Sequence, residues 1–418
     1  MYSKTKRIGR QSLVMMLISV LMTLCVSAFA HGEKNQEPFL RLRTVHFFDM
    51  QWSTEKMKVN DEIVVSGKFR LFTDWPNSLP KPEMVFLGNG TPGPVLARTE
   101  SYINGIPATQ SGKLEVDRDY EFKTVYKGRV PGRHHVHPML NVEGAGPLLG
   151  PGKWLEITGD MKDFKLGMTT IDGTKIDNLE TWGVGTVLTW HAGWFIAALV
   201  YMLWWLRKPF LMPRFRANEA GHEEELVTRG DRVWGAGFLV ATLVVVIAGA
   251  NWAENKYTRT IPLQGGEFKV EPLPIDNRDV HIAVKGATYD VPGRSMKFVV
   301  EVKNNGTVPV QVGEFSTSNL RFVNHSVPAA MAGVHADFPK EQVPPSGLKV
   351  DDQKPILPGE VRTLKLDATD VAWELERLTA MLGDPDNRIG GLLFFYDANG
   401  KRHIANVFGP ILPIFSKI

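Results

Sequence analysis

Cysteine is all but missing from this 418-residue chain: the only one is Cys25. It falls in a stretch that reads as a removable leader, and Leu24 stands where a lipidated cysteine would need a small residue before it. Without Cys25, disulfides, thiolate zinc sites, iron–sulfur clusters and thiolate-ligated copper are excluded. Any metal must then be held by histidine, carboxylate or backbone. Strong charge is missing too. The formal net charge is only +3 and there is no basic run, which excludes nucleic acid as a partner. No fixed-period repeat and no low-complexity stretch is present. Hydrophobic residues at 43% against 22% charged fit a folded protein with a membrane component.

What is present begins with Lys4, Lys6, Arg7 and Arg10, followed by an apolar stretch from Leu13 to Val26. Ala28 and Ala30 complete an A-x-A pattern, so residues 1–30 read as a secretory signal peptide cut after Ala30. The mature chain then begins with His31. Two later stretches, Trp182–Leu206 and Val233–Ala253, carry none of Asp, Glu, Lys or Arg and are long enough to span a bilayer, which takes about 20 residues. The loop between them, 207–232, holds Arg207, Lys208, Arg214, Arg216, Arg229 and Arg232. A short basic loop belongs on the cytoplasmic side. Both flanking segments are then periplasmic, on a bacterial inner or intracytoplasmic membrane.

Those flanking segments, 31–170 and 265–418, read as β. In "DEIVVSGKFRLF", Ile63, Val65, Gly67, Phe69 and Leu71 fall on one face at period two. In "SMKFVVEVK", Met296, Phe298, Val300 and Val302 do the same, and Asn305-Gly306 after them predicts a hairpin. Such strands at this density predict antiparallel sandwiches or barrels joined by a transmembrane helical hairpin. One helix is expected in the second segment, capped by Asp370, striped by Val371, Leu375, Leu378 and Leu382, and ended by Gly383.

Eleven histidines remain after cleavage, and three crowd into "PGRHHVHPML". On a strand His135 and His137 share a face with Cα atoms about 6.6 Å apart, while His134 points the other way. Pro138 lacks a ladder donor and predicts a strand end or edge, leaving the pair accessible. H-x-H alone is a weak signal. A first-residue His31 strengthens it, because its α-amine, with an ordinary pKa of about 7.7–8.0, yields its proton to a metal near neutrality. Amine and imidazole of His31 with His135 and His137 make four nitrogens, a set that favours copper. His281, His325, His335 and His403 are scattered without paired spacing and read as structural. His191, inside the first span, reads as a neutral side chain bonded to a neighbouring helix.

The stretches "HGEKNQEPFLRLRTVHFFD" and "PGRHHVHPMLNVEGAGPLLGPGKW", with two spans between β segments, resemble the B subunit of the copper membrane monooxygenases. That family contains particulate methane monooxygenase and bacterial ammonia monooxygenase. The resemblance covers the whole mature chain. It implies two cupredoxin-like domains outside the membrane, assembly with A and C subunits as a trimer of heterotrimers, and copper at His31, His135 and His137. It also implies O2 chemistry in which one oxygen atom enters a very small substrate and the other leaves as water. The companion C subunit carries a membrane-embedded copper site of its own, so these three histidines are assigned as copper ligands, with a catalytic, an electron-relaying and a structural role all left open. Some methane enzymes have a second copper site. His46 matches its first histidine, but Arg70 stands where the other would fall, and a guanidinium cannot ligate copper. His46 is therefore a weaker candidate, read as an ordinary hydrogen-bonding residue.

Substrate is less legible. "NQEPFL", "GRHHVHPML", "TAMLGDPDNRIGGLL" and the tail "RHIANVFGPILPIFSKI" favour ammonia to hydroxylamine, while His46 with "GEKNQ" leans toward methane to methanol. A periplasmic copper carrier without catalysis is the alternative from another class, and it needs neither two spans nor a second β domain. N-terminal sequencing of the mature protein should read His-Gly-Glu-Lys. A different first residue, or a blocked amine, would remove the amine ligand.

Overall fold

The computed structural model describes residues 38–415 apart from 171, 209–210, 258–266, 276–277, 334–337, 374–377 and 385. The predicted leader, His31 and His335 lie outside the described residues. In chain order the strands are β1 Val45–Trp52, β2 Lys56–Lys58, β3 Glu62–Leu71, β4 Val85–Gly90, β5 Leu96–Ile103, β6 Ile106–Pro107, β7 Ser111–Gly112, β8 Asp119–Gly128, β9 Gly132–Val142, β10 Gly146–Leu149 and β11 Lys153–Thr158. Then come β12 Met168–Thr169, β13 Lys175–Ile176, β14 Glu267–Phe268, β15 Val280–Asp290, β16 Ser295–Asn304, β17 Gln311–Thr317, β18 Leu320–Val323, β19 Lys349–Val350, β20 Val361–Thr369, β21 Arg388–Tyr396, β22 Arg402–Pro410 and β23 Leu412–Pro413.

The β segments before and after the hairpin form one compact unit, and residues 163–265 form the other. In the first lobe one sheet runs β1-β3-β8-β5-β6 and a second runs β14-β7-β4-β9-β11-β2, with β10 also on β9. In the second lobe the sheets are β19-β20-β16-β15-β23 and β18-β17-β21-β22. Both lobes are sandwich-like, and no sheet closes into a barrel among the described residues. Period-two patterning decides which side faces in: Ile63, Val65, Phe69 and Leu71 of β3 are buried, as are Met296, Phe298, Val300 and Val302 of β16. Gly67 keeps its place on that face because a Cβ would press on Met50 and Phe122.

Three local expectations are corrected. Asn305-Gly306 does not close a hairpin, since β16 pairs with β15 and β20 while β17 pairs with β18 and β21. The Asn304 side chain donates to the Val308 and Ile356 carbonyls and accepts from Gly306 N–H, which carries the chain from one sheet to the other. The expected helix after Asp370 keeps its start, where the Asp370 carboxylate accepts from Ala372 N–H. Leu378 and Thr379 are helical and run into a 3-10 turn, Ala380–Gly383, so the expected end at Gly383 also stands, but the stripe is only partly met: Leu378 is buried while Val371 and Leu382 are exposed. Leu375 lies outside the described residues. His191 bonds through Nδ1 to the Val187 carbonyl one turn back on its own helix at 2.8 Å, not to a neighbouring helix.

The unit 163–265 holds helices Val184–Leu206 and Arg229–Lys256, both long and apolar enough to cross a membrane. They run antiparallel, with Trp190 near Trp252, Tyr201 on Phe238 and Trp204 stacked on Trp234. A Thr228/Asp231 capping box starts the second helix, and Asp231 also pairs with Lys208 at 2.7 Å and accepts from Trp204 Nε1–H.

The two β lobes share an internal face. Phe48 and Phe72 of the first lobe join Val323, Leu392, Phe394 and Tyr396 of the second in one buried cluster. Around it charges pair across the lobes: Arg402 with Asp49, both oxygens at 2.6 Å, Arg388 with Asp74 at 2.7 Å and Arg43 with Asp386. Burial pushes the Asp49 carboxyl up, but the Arg402 hydrogen bonds and charge outweigh it and hold the group below its ordinary value.

His46 and Arg70 are cross-strand partners on β1 and β3, so they stand side by side. Arg70 is 1% exposed and forks onto Asp119, while its other nitrogen donates to Asn406 of the second lobe at 2.8 Å. His46 packs edge-on against Phe72 at 4.7 Å. Burial, and then the Arg70 charge, drive its pKa down from 6.5 to about 3, against a hydrogen bond with the Leu42 backbone. A histidine held neutral in this way contributes fully above 6.5 and loses that contribution as pH falls toward about 3, at up to about 1.4 kcal/mol per pH unit. Thermal unfolding followed from pH 7 to pH 4 should therefore show His46→Gln losing stability less steeply than the parent. Parallel slopes would mean that His46 is not kept neutral.

Candidate metal centre

β9 is an internal strand, which corrects the edge expected from Pro138. Residues 132–136 pair with β11, and residues 137–142 pair with β4 on one side and, from Met139, with β10 on the other. Pro138 sits where the neighbour changes from β11 to β10, and its carbonyl accepts from Gly150 N–H at 2.8 Å. A missing donor costs nothing at such a switch. The histidine pair is consequently more enclosed than expected.

His135 and His137 do converge. Their ring centroids are 4.5 Å apart and nearly perpendicular. His137 is 6% exposed, and its Nδ1 lies 2.8 Å from the Gly150 carbonyl. A carbonyl can only accept, so Nδ1 carries the proton, and the Nε2 lone pair is left for a Lewis acid when the ring is neutral. The ring lies over Gly152, where a Cβ would overlap it. His135 is the cross-strand partner of Trp154, whose indole packs against its ring at 4.9 Å, tilted by 42°. The Arg133 guanidinium sits 4.6 Å over the same indole. His134 faces away as alternation requires, and its Nε2 bonds the Val130 carbonyl at 3.0 Å.

The site residues thus separate. His135 and His137 come together; His46 sits beside Arg70 at the lobe interface; His31 lies outside the described residues. Among the described residues no three His, Cys, Asp or Glu side chains are arranged to hold a metal. The pair by itself fits a nitrogen-ligated metal: one ring has its tautomer fixed by a backbone carbonyl and a glycine clears its seat. In the second lobe, His403 Nδ1 bonds Asp279 at 2.6 Å. Sequence reasoning missed Gly150, Gly152 and Trp154. Their signal was the Gly-Pro-Gly-Lys-Trp stretch one strand away from the histidines.

Fold and side chains together define a class: a mainly β protein with a pair of membrane-length helices and two converging imidazoles on one strand. The chain belongs to the family of monooxygenase B subunits, whose sequence profile matches residues 32–415. It is 41% identical over 412 residues to the particulate methane monooxygenase alpha subunit of Methylococcus capsulatus (Bath), covering 98% of each chain. Among solved structures, the cupredoxin domain of amoB from Nitrosocaldus yellowstonii is similar at 14% identity and a TM-score of 0.25, over 32% of this chain and 98% of that one. The adhesin InvE of Yersinia pseudotuberculosis matches at 10% identity and a TM-score of 0.14, over 87% of this chain and 60% of that one. Family membership makes the chain a monooxygenase subunit.

Gly152→Ala tests the geometry without touching a ligand. The added methyl displaces the His137 ring, and metal affinity should fall about 10–100-fold, the usual cost of a disturbed supporting shell. His135→Ala and His137→Ala should lose the metal outright, and His134→Ala should keep it. Metal analysis of the full-length chain checks all four. Equal loss from His134→Ala would point to a different ligand set.

Proposed function

We propose that this chain is the copper-binding B subunit of a membrane monooxygenase that hydroxylates a small substrate with O2, ammonia to hydroxylamine first. The observation that carries the proposal is the converging His135–His137 pair with the His137 proton fixed on Nδ1 by Gly150. His31, through its amine and imidazole, would complete an all-nitrogen set suited to copper. Copper bound there would supply redox chemistry toward O2. This chain's residues would hold the two rings, keep the His137 tautomer and limit water at the buried side of the site. A role in electron relay or in structure would use the same ligands.

The relative from Methylococcus capsulatus is named for methane, which makes methane to methanol the second reading. A and C subunits, in a trimer of heterotrimers, are the proposed partners, and selectivity between the two substrates is assigned to them. The two membrane-length helices and the basic loop support a bilayer-spanning hairpin with both β lobes in the periplasm. Membranes from the native source, given isotopically labelled O2, should form labelled hydroxylamine from ammonium faster than labelled methanol from methane. The reverse ratio would favour the second reading, and neither product would overturn the substrate class.

A further inference from the structure

The second β lobe holds none of the proposed copper ligands, yet it reaches the histidine pair at two places. The first is Glu341, on the 3-10 turn Lys340–Gln342. Its Oε1 lies 3.9 Å from His135 Nε2. That turn is anchored, with Gln342 3% exposed and Phe338 3% exposed beneath the Arg321 guanidinium. Trp154 packs beside the His135 ring at 4.9 Å, tilted by 42°, and Nε2 is the ring nitrogen that lies toward the carboxylate.

The second place is Asn319, at the tip of the β17–β18 hairpin. Ser318 and Asn319 both have positive φ, 50° and 66°, as a two-residue turn of this hand demands. The Asn319 amide donates to the Leu149 carbonyl at 3.0 Å. Leu149 precedes Gly150, whose carbonyl takes the His137 Nδ1 proton. One contact from the second lobe thus faces His135 directly, and the other steadies the segment that fixes His137.

We propose that Glu341 and Asn319 of the second lobe are positioning residues for His135 and His137, so that the copper site is complete only with both β lobes packed together. This rests on the copper-site reading above. In it His135 ligates through Nδ1 and turns Nε2–H toward the Glu341 carboxylate, a carboxylate–histidine–metal arrangement that raises ligand basicity. The carboxylate also adds negative charge near the metal, which favours the oxidised ion over the reduced one.

The test uses the full-length chain in its native complex, with a His135→Ala/His137→Ala double variant as the blank for this site. Glu341→Gln should keep the copper stoichiometry but release that copper to a chelator about 10-fold faster or more, and should raise its midpoint potential. Asn319→Gly keeps the left-handed turn and removes the amide. It should speed release similarly, broaden the copper electron paramagnetic resonance signal and leave the potential nearly unchanged. Glu341→Asp should restore part of the potential. Parent-like release, spectrum and potential in both Glu341→Gln and Asn319→Gly would overturn the proposal. A double variant with undiminished copper would instead overturn the copper-site reading itself.

Discussion

Arg70 is buried only because partners from both lobes meet it. Its guanidinium forks onto Asp119 of β8 and donates to Asn406 of β22, and Asn406 in turn donates to Asp117. A buried charge stripped of one partner typically costs about 3–5 kcal/mol. That cost ties the first lobe to the second, and Arg402 with Asp49 repeats the device at the other side of the shared apolar cluster. The cluster supplies the driving force. The charge pairs fix which strand faces which, since a slip of two residues would leave each of them unpaired. Gly390 seals the contact, because a side chain there would strike the Leu42 carbonyl.

The candidate site inherits its geometry from this packing. β1 alternates between two duties: His46 faces Arg70 at the lobe interface, while Phe47 turns inward against Phe69 and Phe122. Phe47 also lies against Gly150, together with Pro138. The carbonyl that fixes the His137 tautomer is thus wedged between the core of the first lobe and, through Leu149 and Asn319, the second. An imidazole held at 6% exposure with one nitrogen committed has little freedom left to misalign.

Much of this was legible in the residues, and the reasons for the remainder are physical. Alternation at period two identified the inward faces of β3 and β16, and it separated His134 from His135 and His137, because strand geometry is local. That Arg70 stands where a partner of His46 would fall came from the resemblance alone, and the register of β1 and β3 sets the two side by side. The partners of β9 were not legible. A proline reads as an edge signal, but a strand that exchanges β11 for β10 at that point offers the same relief from inside a sheet. Asn305-Gly306 misled in a similar way: its turn chemistry is real, yet only the pairing of distant strands decides whether a turn closes a hairpin. Glu341 and Asn319 have no sequence signature at all. Each acts across more than 150 residues of chain, and nothing local marks an acid or an amide for such a contact.

The separation of the lobes in sequence raises a folding question that the hairpin answers. A helix of 23 residues followed by an antiparallel one of 28 returns the chain to the end from which it left, and Trp182 meets Tyr257 there at 5.3 Å. The excursion therefore adds length without adding distance. Loop closure grows only with the logarithm of length, so the entropy of bringing β1 to β21 is modest once the hairpin has formed. Before that, Phe48 and Phe72 are uncovered and Arg70 lacks Asn406. The first lobe can arrange its own sandwich core as it emerges, since Phe47, Phe69 and Phe122 come from strands within it. Its outer face must wait for β21 and β22. On the proposed copper reading, a metal taken up before then would meet His135 and His137 without their supports from the second lobe, and loading would accordingly follow lobe packing.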